Sequence, residues 1–434
     1  MRRIWSFAYS GIVIPLLWLV IQAAGLTSAK ARRGIRARGT LFKELERQAA
    51  TLPPGPRIWF HSSSLGEFEQ AKPIIAELKQ RNPGLSVIVS FFSPSGYEHS
   101  RKYRLADIIT YVPFDTRANA QRFLDLVRPD AAVMVRYDIW PNHVWELEAR
   151  RIPILIANAT MRERTHRLLP LARGFHRQVY NAIDDILTVT RTDAEAFRQF
   201  ALDHPVIQPI GDTRYDQVCI RSAEARKRHI IPPAMTEGKK VVVIGSSWPE
   251  DEDIVIPPAL QLLNENRCLL CIIVPHEPTE EHLEELEERL AGKTTFLRFS
   301  ALNEYAGERI IIVDSVGLLL ILYAHAQIAY VGGSFRQGIH NVLEAAVYGV
   351  PVLFGPRHRN SQEPLMLVER GGGFVVSDDT EFYRTVRHLL EDERARTSAG
   401  ERAARFVQSN VGATNRFLEH LEQRLRTTAG TSRQ

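Results

Sequence analysis

From Arg57 onward, short runs of apolar, β-branched residues alternate with amphipathic stretches, and this alternation constrains the fold more than any single residue does. The first runs are RIWFHS, LSVIVSFFS, DIITYVPF, AAVMVRYD, IPILIANA, DILTVT and VIQPIG, with helical patterns such as TRANAQRFLDLV and TDAEAFRQFAL between them. Strands that are apolar almost throughout are buried on both faces, and strands separated by helices run parallel. The pattern lapses through YDQVCIRSAEARKRHIIPPAMTEGKK, then resumes with VVVIGSS, CLLCIIVP, TFLRFS, RIIIVDS, IAYVGGS, PVLFGP and GFVVSD. The spacing predicts an α/β protein of two Rossmann-like, doubly wound domains facing a cleft, with ligands at the carboxyl ends of the strands. Residues 30–212 form the expected first domain, 213–239 a linker and 240–379 the second domain. Residues 380–434, rich in Arg, Glu and Leu at helical spacing, are expected to pack as helices across one or both domains.

The charge is unevenly placed. Residues 1–50 hold nine Lys/Arg and two acidic residues, net +7, while the remaining 384 carry 46 basic and 48 acidic residues. A nucleic-acid binder more often spreads its basicity over a folded face, so no nucleic-acid partner is expected. Between Arg3 and Lys30 there is no charge at all, and Ile4 to Leu26 matches the roughly 20 apolar residues that a helix needs to cross a bilayer. Residues 1–29 are therefore read as a membrane anchor, with Trp5, Tyr9 and Trp18 as interfacial residues. Pro15 would kink or interrupt the helix, which leaves a span and an in-plane anchor both open. The following KARRGIRAR puts five Lys/Arg beside the apolar run, and the positive-inside rule then places the domains on the cytoplasmic side of the inner membrane. A cleaved signal peptide fits less well, and a single long apolar segment excludes a transporter.

Three cysteines give no disulfide framework and suit a reducing compartment. Cys268 and Cys271 lie in an apolar strand pattern, where positions i and i+3 face opposite ways, so core packing explains them better than a metal. No other His, Cys, Asp or Glu spacing suggests a metal site, and no metal or cofactor is expected.

Two segments carry chemistry. In HSSSLGEFEQAKPI a strand ends, Gly66 turns the chain and a helix begins with Glu67 in its first turn. An acidic residue there suits the helix dipole whatever else it does. In YVGGSFRQGIHNVLEAAVYGVPVLFGP a strand enters a glycine-rich loop and a helix is expected to start near His340. Gly332, Gly333 and Gly338 would let the backbone approach an anion at that N-terminus, and Glu344, at i+4 from His340, could accept from sugar hydroxyls. Tight packing is the competing explanation. VPHEP and GSSWPEDED also follow strands, with His276 more often a turn residue than a ligand contact. GDTRYD holds Arg214, whose planar fork matches carboxylate or phosphate as readily as a surface ion pair.

These motifs, in this order, resemble the 3-deoxy-D-manno-octulosonic acid (Kdo) transferases of lipopolysaccharide synthesis. The resemblance rests on the apolar N-terminal segment, H-x-x-S-x-G-E at His61 to Glu67, S-P-S-G at Ser93 to Gly96 and Y-x-P-x-D at Tyr111 to Asp115. It continues with D-I-W-P-N at Asp138 to Asn142, A-N-A at Ala157 to Ala159, G-x-x-[KR]-x-D at Gly211 to Asp216 and D-[ST]-x-G at Asp314 to Gly317. G-G-S at Gly332, H-N-x-L-E at His340 and P-V-L-F-G-P at Pro351 complete it. The resemblance implies a GT-B glycosyltransferase that moves Kdo from CMP-Kdo to the lipid A precursor (lipid IVA), with inversion and without a metal. It implies Glu67 as general base and Arg214 as transition-state stabiliser. It further implies a CMP site made by Pro275, His276, Val316, Gly317, Leu318, Gly333, His340 and the segment Asn341, Val342, Leu343, Glu344.

Several positions depart from the family pattern. Arg136 stands where many members have a Glu assigned to the transition state, so that either Asp138 takes over part of that role or Arg136 binds the donor's carboxylate. His276 replaces a common Arg, Leu318 a Glu and Trp248 a His. Two alternatives are another GT-B nucleotide-sugar transferase acting on a lipid and an inactive membrane-tethered binding homologue.

Overall fold

The structure, a computed structural model, describes residues 2–162, 165–359 and 361–431. Each apolar run of the sequence becomes a strand, and the strands form two seven-stranded sheets in which every neighbouring pair is parallel. The first sheet contains β1 (Arg57–Ser62), β2 (Ser86–Phe91), β3 (Ile108–Tyr111), β4 (Ala131–Val135), β5 (Ile154–Ala159), β6 (Asp185–Thr188) and β7 (Val206–Pro209), in the order β3-β2-β1-β4-β5-β6-β7. The second contains β8 (Lys240–Ser247), β9 (Leu269–Pro275), β10 (Phe296–Arg298), β11 (Ile310–Ile312), β12 (Ile328–Val331), β13 (Val352–Phe354) and β14 (Gly373–Val375), in the order β10-β11-β9-β8-β12-β13-β14. These are two Rossmann-like domains of the GT-B kind.

The order explains where a site belongs. From β1 the chain winds outward through β2 and β3, then returns to the other side of β1 as β4. From β8 it winds through β9, β10 and β11, then returns beside β8 as β12. Helices leave the sheet in opposite directions on the two sides of such a reversal and open a crevice at the carboxyl ends of the central pair. The switch points are thus β1/β4 and β8/β12.

Both faces of the first sheet are covered. Trp59, Ile88, Phe123 and Ile156 belong to one apolar layer and Phe60, Val89, Phe68 and Val133 to the other. β7, the edge strand, is only half-buried and carries Pro209, whose missing N–H is tolerated at an edge.

The chain divides into one unit of residues 1–217 and 411–434 and another of residues 218–410. The helix Thr213–Ala225 runs through the boundary. The C-terminal segment, read as one block from 380, is split. Helices Asp379–Glu391 and Glu393–Gln408 belong to the second unit, and the helix Ala413–Thr431 returns to the first. Phe417, Leu418 and Leu421 of that helix join the β1 core layer. Asp216 holds its start, accepting from the backbone of Gly412 at 2.6 Å and from Thr414 N and Oγ1 at 2.8 Å.

Candidate active site

At the first switch point, β1 ends at Ser62 and the helix Leu65–Arg81 begins after two intervening residues. Ser64 is its N-cap and Glu67 its third residue, and together they form a capping box. Ser64 Oγ accepts from Glu67 N, and Glu67 Oε2 accepts from Ser63 N at 2.5 Å and Ser64 N at 3.3 Å. The helix-terminus explanation of Glu67 is therefore realised, but it occupies a single oxygen: among the described residues both bonds fall on Oε2. The residue is 6 % exposed. Burial raises its pKa above the ordinary carboxylate value, opposed by the Ser63 N–H, and the charge of Asp138 adds to the rise. A carboxylate of raised basicity is a stronger proton acceptor.

Behind it lies a closed network that the sequence did not disclose. His61 on β1 is fully buried, with Nδ1 2.8 Å from Ser90 Oγ and Nε2 2.9 Å from Asp138 Oδ2. Ser90 Oγ accepts from Trp59 Nε1 at 2.8 Å. Trp140 Nε1 donates to His61 Nε2 at 3.0 Å and lies 3.3 Å from Asp138 Oδ2, so the indole N–H is shared between that nitrogen and Asp138. Burial alone would raise Asp138, but the bonds from His61, Ser63 and Trp140 outweigh it and hold the pKa below its usual value. Asp138 stays an anion and Glu67 is the more basic of the two.

Arg136, at the end of β4, has a left-handed backbone (φ 66°), as does Asn158 on β5 (φ 52°). Residues with a Cβ meet steric cost there, and such strain concentrates at functional positions. Arg136 Nε is buried without a hydrogen-bond partner, and the guanidinium lies over the Tyr137 ring. Asn158 Nδ2 donates to Gln70 Oε1 at 3.1 Å and to Thr213 Oγ1 at 2.6 Å, while Thr213 Oγ1 donates to the Gln70 carbonyl. Arg214 is thereby tied, through the residue before it, to the helix that carries Glu67. Its side chain pairs with Asp212, Nη2 to Oδ2 at 2.7 Å. The A-N-A motif was the one sequence signal for this tie.

At the second switch point three rings converge from three strand ends. Trp248 follows β8, His276 follows β9 and His340 lies in the loop after β12. His276 stacks on His340 at 4.2 Å between centroids and on Trp248 at 4.7 Å. Trp248 Nε1 donates to His340 Nε2 at 2.9 Å, so that nitrogen is unprotonated. Burial, and secondarily His276, lowers the His340 pKa to about 4. Gly333 has φ 91° and sits where a Cβ would lie 2.5 Å from the Gly338 carbonyl. Asp251 ties this end together, with Oδ2 accepting from Gly333 N at 2.7 Å and Trp248 N at 3.0 Å, and Oδ1 from Tyr330 Oη at 2.7 Å.

The expected helix start at His340 is corrected. The helix covers only Leu343–Ala346, and His340 lies in the loop before it. The loop closes on itself instead, with Gly338 N bonded to the Gly333 carbonyl and His340 N to that of Gly332. Glu344 is therefore not one helical turn from His340, and its Oε1 lies 3.2 Å from Arg221 Nη1. Four residues make too short a helix for an N-terminal phosphate site. Asn341 is exposed, its Oδ1 accepting from Leu343 N, whereas Val342 and Leu343 are buried. Pro275 closes β9, and Val316, Gly317 (φ 84°) and Leu318 follow β11, so these residues share the carboxyl edge of the second sheet with the ring stack. Among the described residues no group of three His, Cys, Asp or Glu side chains is placed to hold a metal.

Comparison with known proteins finds similar sequences and folds. The family model described as 3-Deoxy-D-manno-octulosonic-acid transferase (kdotransferase) matches residues 31–217. The chain is 27 % identical to a 3-deoxy-D-manno-octulosonic acid transferase of Haemophilus influenzae, covering 96 % of this chain and 98 % of that protein. It is 26 % identical to the protein of the same name from Chlamydophila psittaci, over 85 % of each. The fold is shared with the crystal structure of UDP-GlcNAc 2-epimerase from Neisseria meningitidis bound to UDP-GlcNAc. That likeness has a TM-score of 0.57 at 15 % identity and covers 85 % of this chain and all of that one.

Proposed function

We propose that the chain is a 3-deoxy-D-manno-octulosonic acid transferase, a glycosyltransferase of lipopolysaccharide synthesis, and that it transfers Kdo from CMP-Kdo to a lipid A precursor, lipid IVA, with inversion and without a metal or other cofactor. The observation that carries this reading is the buried, basic carboxylate of Glu67 at the first switch point, capped through Oε2. Its Oε1 takes the proton of the acceptor's primary hydroxyl as that oxygen bonds to the anomeric carbon of Kdo. The bond from that carbon to the phosphate breaks on the opposite side, and CMP leaves with the electron pair. Arg214, and Arg136 beside it in function, supply positive charge for the leaving phosphate and the donor's carboxylate. Burial keeps Glu67 basic, and the charge of Asp138, whose pKa the bond from His61 helps to lower, adds to it by like-charge repulsion.

The second domain takes the donor in this reading. The ring stack of Trp248, His276 and His340 gives an aromatic surface for the base, and the exposed Asn341 side chain and the backbone at Gly333 and Val316–Leu318 offer polar groups to ribose and phosphate. The apolar N-terminal helix anchors the protein to the inner membrane, with both domains on the cytoplasmic side where the lipid acceptor is presented.

Mass spectrometry of the lipid after incubation with CMP-Kdo and lipid IVA tests the reading. A gain of one or more Kdo units that is lost in Glu67→Gln supports it. Glutamine keeps an oxygen for the Ser63 and Ser64 N–H groups, so a folded, inactive variant isolates the base from the cap. Unchanged lipid and intact CMP-Kdo with the wild-type protein would refute it.

A further inference from the structure

The N-terminal segment forms one continuous helix, Arg2–Thr27, which by length and composition could cross a membrane. Pro15 does not break it. Proline lacks an N–H and crowds the carbonyl four residues back, and the turn just before it, Tyr9–Val13, is a π turn that absorbs both defects. A π turn holds one residue more than an α turn, and the slip sorts the helix into two sides. Tyr9 and Ile14 are buried on one, while Ile4, Phe7, Ile12, Leu16 and Leu19 are exposed on the other.

The buried side is bonded to the first domain along most of its length. Arg2 donates to the Trp145 carbonyl at 3.0 Å and pairs with Glu148. Trp5 packs edge-on to Phe175, and Tyr9 Oη donates to Asp115 Oδ2 at 2.9 Å. Ser10 Oγ reaches Asn142 Oδ1 at 3.1 Å, and Leu17 still touches the domain's core. Only Trp18 to Thr27 remain beyond these contacts, about 15 Å of helix against a hydrocarbon core of about 30 Å. At Ser28 the backbone becomes extended (φ −110°, ψ 119°) and the helix Ala29–Ala49 folds back. Arg32 Nε donates to the Gly25 carbonyl at 3.1 Å, and Arg38 binds the Val112 and Phe92 carbonyls.

From this docking we infer that the helix does not span the bilayer but lies along one leaflet, entering and leaving on the side of the domains, an inference that rests on the anchoring read above. The occupant of its exposed face is an anionic lipid surface. Lys30, Arg32, Arg33 and Arg36 are exposed beside the hairpin, at the level where acidic headgroups would meet them. Leu169 and Leu171, 58 % and 79 % exposed, extend the apolar face at the start of the helix Pro170–Tyr180, whose Gly174 and Phe175 pack on Trp5.

The test uses full-length protein in sealed inner-membrane vesicles whose outer face carries the domains, with a membrane-impermeant maleimide and peptide mapping. Native Cys268, which is exposed, reports the side of the domains. Arg3→Cys and Lys30→Cys should both label before detergent, to the same extent as Cys268. Membrane-bound protein in which Arg3→Cys labels only after detergent would overturn the flat placement and leave the anchor standing. Protein recovered in the supernatant would overturn the anchor and this inference with it. Leu169→Gln with Leu171→Gln should lower partition onto phosphatidylethanolamine–phosphatidylglycerol vesicles about tenfold; unchanged partition would remove these leucines from the contact.

Discussion

Glu67 and Asp251 occupy the same place in two copies of one design. Each is the third residue of the helix that follows the central strand of its sheet, β1 or β8, at the switch point. Each reaches back to the backbone at the helix start, and burial raises the pKa of each. They differ in what remains. Asp251 has both oxygens engaged, by Trp248, Gly333 and Tyr330, so its carboxylate serves to shape the second domain's loop. Glu67 puts its backbone bonds on one oxygen and lies within the field of Asp138, whose pKa is held below its usual value. Position in the fold makes a carboxylate buried and basic; the count of its remaining lone pairs decides whether it can do chemistry.

Substitution at the two positions separates the roles. Glu67→Gln should lower kcat by about 10²–10⁴-fold, the range for loss of a general base, with little change in Tm. Assay of Kdo transfer alongside a thermal melt reads both. A large fall in Tm with activity preserved would make Glu67 the structural twin of Asp251 and erase the contrast.

Ionisation sharpens the contrast further. Glu67 must be ionised to accept a proton, and its folded pKa is raised, so the acidic limb of the kcat/KM profile should lie above the ordinary carboxylate value of 4.5. Stability has the opposite sign. The folded state holds this proton more tightly than the unfolded chain, so ionising Glu67 costs stability as pH rises from 4.5 through its folded pKa. An acidic limb at or below 4.5 would contradict the environment described for this residue.

Asp251→Asn should act on stability instead. An amide leaves at least one of the Tyr330 hydroxyl, the Gly333 N–H and the Trp248 N–H without its acceptor, which costs about 1–3 kcal/mol. Denaturant melts should register that loss, with KM for CMP-Kdo raised more than kcat is lowered. A fall in kcat as deep as that of Glu67→Gln would place chemistry in the second domain.

Much of this arrangement was legible in the sequence because it is local. Apolar runs such as AAVMV and IPILIANA can only be strands covered on both faces, and the lapse near residue 230 marks the repeat of the pattern. Glu67 was visible because strand, turn and helix follow one another within ten residues. The bonds that give it a setting were not, since His61 and Asp138 lie 77 residues apart and Tyr9 and Asp115 lie 106 apart. No periodicity encodes such pairs. The His340 helix was misread because glycine-rich loop and helix share a composition up to Asn341, and only the closure of Gly338 on Gly333 ends the ambiguity. Whether Pro15 kinks or interrupts its helix is open from the residue types alone, because the π turn that accommodates it leaves no mark in them.

The smallest expected effect concerns the ring stack, where the second domain keeps a titratable group neutral while the first keeps one charged. His340 Nε2 accepts from Trp248, and burial lowers its pKa to about 4 from an ordinary 6.5. As pH falls through 6.5 the unfolded chain takes up the proton first, so the second domain loses stability between about 6.5 and about 4. His340→Gln can still accept from Trp248 Nε1 but does not titrate, and its Tm should fall less over that interval than that of the wild type. Trp248→Phe keeps the ring on His276 and deletes only the indole N–H, at about 0.5–1.5 kcal/mol for one hydrogen bond. A wild-type Tm that changes with pH as that of His340→Gln does would mean that the imidazole charges within the stack. The second switch point would then carry a cation, as the first carries Arg136 at the end of β4, and the division between a charged site and a neutral one would fall.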